Sequence, residues 1–207
     1  MTYAGSRSAP TGLRKAAIVL MWVTVAAHLL LTAAAFARKA AWDDFVDSNM
    51  NFAKLDDLDD ADSFVGASFL LVLVATLATA IVLAVWSNRT TSNAQARGAQ
   101  VSPGLATGGW FIPIGWYFVS FSQLRKAMAG RGDASSIGWW QGLWIVGSLV
   151  GGVAVQLFDD DLDQTAGDVS SDLRNQSVGL LVAAAFLVGA TIFAMRALRA
   201  VDDATGA

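Results

Sequence analysis

The sequence predicts an all-α integral membrane protein: four transmembrane helices plus a Pro/Gly-broken, aromatic-rich segment that re-enters the bilayer or lies at its interface. Three observations predict it. Hydrophobic residues make up 55% of the chain and charged residues only 15%, with a mean hydropathy of +0.49, outside the range of soluble domains. Four uncharged runs, Ala16 to Ala37, Phe64 to Trp86, Ile137 to Phe158 and Val178 to Met195, are 22, 23, 22 and 18 residues long. About 20 residues cross the ~30 Å of hydrocarbon in a bilayer. A fifth run, the 17 residues from Leu105 to Phe121, is interrupted by Gly108, Gly109, Pro113 and Gly115, and a proline there removes a helical hydrogen bond. The alternative is five transmembrane helices, with that run crossing a thin bilayer.

Residues 1–15 form a short basic tail, with Arg14 and Lys15 directly before the first apolar run. Ala35-Phe36-Ala37 resembles a signal cleavage site, but the run is longer than a signal h-region, so an uncleaved signal anchor is expected. His28, the single histidine, lies near the middle of this span. A polar ring there needs a partner or an interior position. The alternatives are a proton-relay or ligand role, or a hydrogen bond to a neighbouring helix through Thr76, Ser148 or Gln156. The absence of any intramembrane acid or base to pass a proton onward favours the second.

In the loop 38–63, Trp42, Phe45, Val46 and Met50 form one apolar helical stripe, expected to lie flat on the membrane face before the acidic run Asp56 to Asp62. A second acidic loop, 159–177, carries Asp159, Asp161 and Asp163 at the spacing of a calcium loop. Gln164 and Ser170 replace the turn glycine and the twelfth-position acid, so a solvated loop rather than a metal site is expected. The chain has no cysteine, which excludes disulfides and thiolate metal sites. Gly138 with Gly142, and Gly147 with Gly151, are spaced for close helix approach, within the bundle or between copies.

Charge fixes the expected topology. With the broken segment 105–124 entering and leaving on one side, ten of the fourteen Lys and Arg fall inside and four outside, and fourteen of the seventeen Asp fall outside. Five spans would instead place six basic residues inside and eight outside, against the positive-inside rule. Both termini are therefore expected to be cytoplasmic, in the plasma membrane. The layout is a single membrane domain over 16–200 with a short tail at 201–207.

The stretch around the broken run carries the specific residues. Trp86, Arg89, Asn93-Ala94, Gly98, Ser102-Pro103-Gly104, Gly109-Trp110-Phe111, Pro113, Trp139-Trp140 and Trp144 together resemble the actinobacterial multi-pass membrane family known as domain of unknown function 4328. The resemblance covers about residues 83–146. It departs after Pro113, where the family continues with an Asn and then Arg-Pro-Tyr and this chain has Trp116, Val119, Ser120 and Phe121, so the chain reads as a divergent member. The family implies membrane location and fold but no activity.

Physically, Ser102-Pro103-Gly104 is a turn returning the chain to the membrane, and Pro113 frees the Gly109 carbonyl. Two readings stay open for this stretch: a lipid, peptide or small-ligand groove lined by Trp110, Trp116 and Tyr117, or an interfacial helix anchored by its aromatics. No Ser/His/Asp set, paired intramembrane carboxylates or phosphate loop is present, which argues against an enzyme. No cofactor, metal or nucleic-acid partner is implied. The expected function is a non-enzymatic membrane module binding partner membrane proteins or lipid, with self-association a further way to complete it. A small oligomeric transporter or channel-like protein using the broken segment is the alternative.

Overall fold

The computed structural model describes residues 11–112, 115–156 and 165–205, the side chains of 115–117 excepted. Pro113, the Trp116 and Tyr117 side chains, residues 1–10 and the Asp159–Gln164 stretch therefore lie outside the described residues. Among the described residues six α-helices run in the order α1 (Thr11–Asp47), α2 (Leu55–Ala96), α3 (Pro103–Gly108), α4 (Gly115–Met128), α5 (Ser135–Gln156) and α6 (Ala166–Ala204), with one 3-10 turn at Phe52–Lys54. No strand occurs among the described residues. Four helices among the described residues, α1, α2, α5 and α6, are long and apolar enough to cross a membrane.

Three of these helices overrun the apolar runs that announced them. At 37, 42 and 39 residues, α1, α2 and α6 are each about 55–65 Å long at 1.5 Å per residue, nearly twice the hydrocarbon thickness. Their ends are set by caps rather than by charge. At the end of α1, Asn49 adopts φ 56°. Its N–H donates to the Val46 carbonyl at 3.0 Å and the Met50 N–H donates to Phe45 at 3.0 Å, the paired bonds of a Schellman motif. Gly98, at φ 90°, closes α2 the same way through Gly98 N–H to Gln95 and Ala99 N–H to Ala94.

The Trp42 to Val46 part of the aromatic stripe thus belongs to α1 instead of forming a separate surface helix. Thr165 and Asp168 cap α6 reciprocally, with Thr165 N–H to Asp168 Oδ2 at 3.0 Å and Asp168 N–H to Thr165 Oγ1 at 3.3 Å.

The chain divides into two compact units. One comprises Val23–Ala75 and Val146–Leu187. Its core is Ala27, Leu31, Ala35, Val72, Ala75, Ala154 and Leu180. Large apolar side chains such as Phe69, Leu70 and Leu73 are exposed while Ser68, Val72 and Ala75 are buried. This arrangement suits a helix whose outer solvent is lipid. A Cβ on Gly179 would stand 2.7 Å from the Ala154 Cβ, and one on Gly147 3.3 Å from the Ala183 carbonyl. The second glycine pair of α5 therefore packs within the chain against α6, whereas Gly142 meets nothing within 4 Å.

His28 Nδ1 bonds the Thr24 carbonyl 2.8 Å away, within α1, rather than a residue on another helix. Beyond the apolar stretch, Trp42 donates to the Ala166 carbonyl at 3.2 Å and Ser170 to Asp43 at 2.7 Å. Arg38 pairs with Asp62, and Lys54 with Asp44 and Asp57. The second unit, Met1–Trp22, Thr76–Ile145 and Val188–Ala207, holds the family-like residues.

Candidate functional site: a polar and aromatic cluster under a helical hairpin

The run from Leu105 to Phe121 is not one helix. Ser102 caps α3 by accepting from the Leu105 N–H, and Pro103 occupies the first turn, where a missing N–H is harmless. After α3 the chain turns at Gly108 to Ile112, and α4 returns along it. Ser120 Oγ donates to the Ala106 carbonyl at 3.1 Å, and Gln123 Oε1 accepts from the Ser102 N–H at 2.9 Å. Ser102 with Gln123 and Ala106 with Ser120 run in antiparallel order, so α3 and α4 form a helical hairpin. Gly109 permits it. A Cβ there would lie 2.5 Å from Ser120 Oγ and 3.0 Å from the Ser120 nitrogen, so a side chain here would force the two helices to shift.

The hairpin closes over tryptophans. Trp110, 1% exposed, donates its indole N–H to Ser87 Oγ at 3.0 Å. Its ring stacks on Trp140 at 6.0 Å and 29°, and Phe121 meets both rings edge-on, at 5.5 Å from Trp110 and 4.8 Å from Trp140. Such pairs contribute about 0.5–1.5 kcal/mol each beyond area burial. Asn88 Nδ2 ties α2 to α3 through Thr107 Oγ1 at 2.9 Å.

Beside this cluster, Asp202 Oδ1 accepts from the Trp86 indole at 3.0 Å while its Oδ2 accepts from Arg14 Nη1 at 3.0 Å. The carboxylate is buried and would be costly there without both donors. Trp144 is also buried, whereas Trp139 is exposed and stacks on Phe193 at 5.8 Å, with Arg196 over the same phenyl ring.

The sequence-level candidates therefore separate into groups. Trp86, Gly109, Trp110, Trp140 and Trp144 are interior. Asn93 and Pro103 are half-buried, and Arg89, Gly104, Phe111 and Trp139 face outward. Trp110 fills the interior rather than lining an open groove. His28 belongs to the other unit.

Asp202 and Ser87 were missed because each reads as an ordinary tail or span residue. The signal for Asp202 was present: Ala190, Ala194, Ala197, Leu198 and Val201 are all buried, and their helical spacing carries the interior stripe into the supposed tail. Leu105, Phe111, Ile112 and Phe118 of the hairpin are each more than half exposed. Among the described residues no group of three or more His, Asp or Glu is placed to hold a metal ion.

No curated protein and no solved structure matches the chain. A family model, Domain of unknown function (DUF4328), matches residues 51–203, which include every element of the cluster except Arg14. By that match the chain belongs to the DUF4328 family.

Proposed function

We propose that the chain is a non-enzymatic plasma-membrane module that binds a partner membrane protein or lipid through the outer face of its helical hairpin. The supporting observation is the division of labour within the hairpin. Its motif tryptophan, Trp110, is fully consumed by internal contacts, while Leu105, Phe111, Ile112 and Phe118 present large apolar side chains outward. An exposed apolar group of this kind on a structured element marks an interaction surface with lipid or protein.

In this reading the hairpin enters and leaves the bilayer on the cytoplasmic side. The unit carrying it holds ten of the fourteen basic residues and three of the seventeen Asp, in keeping with the positive-inside rule. Both termini are then cytoplasmic. The test is mild-detergent purification from the native membrane. A component that co-purifies in fixed ratio with the native chain, and is lost from a Phe111→Ala/Ile112→Ala double variant of unchanged melting temperature, supports the reading. Equal recovery with both proteins contradicts it.

A further inference from the structure

We propose that Arg97 and Arg131 form a phosphate-binding site, which takes the phosphate of an anionic phospholipid headgroup or of a soluble phosphate. The site is an open cavity of about 470 Å³ lined by Arg97, Arg131, Gly132, Ala200, Asp203 and Ala204, a volume within the range of small-ligand sites. Its lining includes none of the exposed hairpin residues.

Two glycine-closed turns present the arginines. Arg97 immediately precedes Gly98 at φ 90°, and Arg131 stands between Gly130 at φ 74° and Gly132 at φ 75°. The turns are docked through a small apolar group, with Ala94, Val101 and Ala127 buried together and Ala99 against them. The Arg131 N–H donates to the Met128 carbonyl at 2.8 Å. The guanidinium groups are therefore carried on turns tied into the fold by backbone hydrogen bonds and apolar packing.

Two like charges line one cavity here. Among the described residues neither arginine forms an ion pair. Partial desolvation, and then the Arg131 charge, push the Arg97 guanidinium below its usual range. Two nearby carboxylates are engaged elsewhere. Asp133, two residues from Arg131, accepts from the Ser135 hydroxyl at 2.6 Å and the Ser135 N–H at 2.8 Å, which holds its carboxyl below the usual range. Asp202 is committed to Trp86 and Arg14.

Asp203 lines the cavity but pairs with neither arginine, so the lining side chains carry one net positive charge. That balance suits a phosphodiester monoanion. A planar guanidinium matches two phosphate oxygens at once, and two guanidiniums meeting at one cavity relieve their repulsion when an anion enters.

The experiment is thermal unfolding of the purified full chain in neutral detergent, titrated with dioctanoyl phosphatidylglycerol, with dioctanoylglycerol lacking the phosphate, and with inorganic phosphate. Native protein, Arg97→Gln, Arg131→Gln and, as an exposed cation outside the cavity, Arg89→Gln are compared. Phosphatidylglycerol should raise the melting temperature of the native chain and of Arg89→Gln, and dioctanoylglycerol should not. Either cavity variant should bind about tenfold or more weakly.

A response to phosphatidylglycerol alone identifies a lipid headgroup, and a response to inorganic phosphate as well identifies phosphate in general. The site is refuted if no phosphate compound shifts the native chain, if dioctanoylglycerol acts equally, or if the cavity variants respond like the native chain or like Arg89→Gln. Any of these outcomes leaves hairpin-dependent co-purification standing.

Discussion

Val23–Ala75 and Val146–Leu187 bring helices together by leaving side chains out, whereas Met1–Trp22, Thr76–Ile145 and Val188–Ala207 do so by filling the interior with rings. Two of these have paired indole N–H groups, and a third, Trp140, has its indole N–H buried and unpaired among the described residues. In the first unit Gly147, Gly151 and Gly179 bring α5 and α6 into near-backbone contact. In the second, which holds seven of the eight tryptophans, Asp202 and Ser87 receive the N–H groups of the buried Trp86 and Trp110.

Charge follows the same division. Fourteen of the seventeen Asp lie in the glycine-packed unit and ten of the fourteen Lys and Arg in the tryptophan-packed one. The difference shows two solutions to one problem. Lipid offers helices no hydrophobic reason to associate, so contact comes either from close van der Waals approach or from polar groups that have no better partner.

That contrast is broken most severely at Trp110. Trp110→Ala removes the Ser87 bond and the contacts to Trp140 and Phe121, and should cost about 3–5 kcal/mol, measured by denaturant titration in detergent. Asp202→Ala should follow at about 2–3 kcal/mol, because it leaves the Trp86 N–H and the Arg14 charge without their acceptor. Asp202→Asn keeps one acceptor oxygen and should lose less. An Asp202→Ala protein as stable as the native chain would mean that the indole and guanidinium find other partners.

Next come the glycines, one in each unit. Gly179→Ala and Gly109→Ala should each cost about 1–3 kcal/mol through overpacking. Ser120→Ala should partly relieve Gly109→Ala, since the hydroxyl is the nearest obstacle and the Ser120 nitrogen and Leu105 carbonyl at 3.0 Å remain. The smallest effect belongs to Phe111→Ala, expected within ~0.5 kcal/mol because the side chain faces outward. A large loss there would mean that the hairpin tip is packed rather than presented.

How far the sequence foresaw this depends on which force acts. The four spans were legible because hydropathy and length report partition into lipid directly. Their true ends were not, because charge stops an apolar run without stopping a helix. The Schellman turns at Asn49 and Gly98 decide the ends, and the Thr165 to Asp168 box was hidden in a loop read for its acidity. The hairpin was legible from its glycines and its position between basic residues. The reason it holds was not, since Asp202, Ser87 and Gln123 lie from 21 to 116 residues away from their partners' places in the chain and nothing local marks them. The glycine spacing of α5 was readable as close packing, but only the structure selects Gly147 and Gly151 over Gly138 and Gly142.

The central claim is that the apolar run 105–121 folds back on itself and leaves both its flanks on one side of the membrane. The most direct measurement is labelling of single cysteines by a membrane-impermeant thiol reagent in intact cells, which the cysteine-free chain makes unambiguous. Gln100→Cys and Ser135→Cys flank the hairpin, and Ala53→Cys and Ser171→Cys mark the acidic unit. The account predicts that Ala53→Cys and Ser171→Cys label in intact cells, while Gln100→Cys and Ser135→Cys label only after permeabilisation. Labelling of Ser135→Cys but not Gln100→Cys in intact cells would contradict it, because the run would then cross the bilayer as a fifth span.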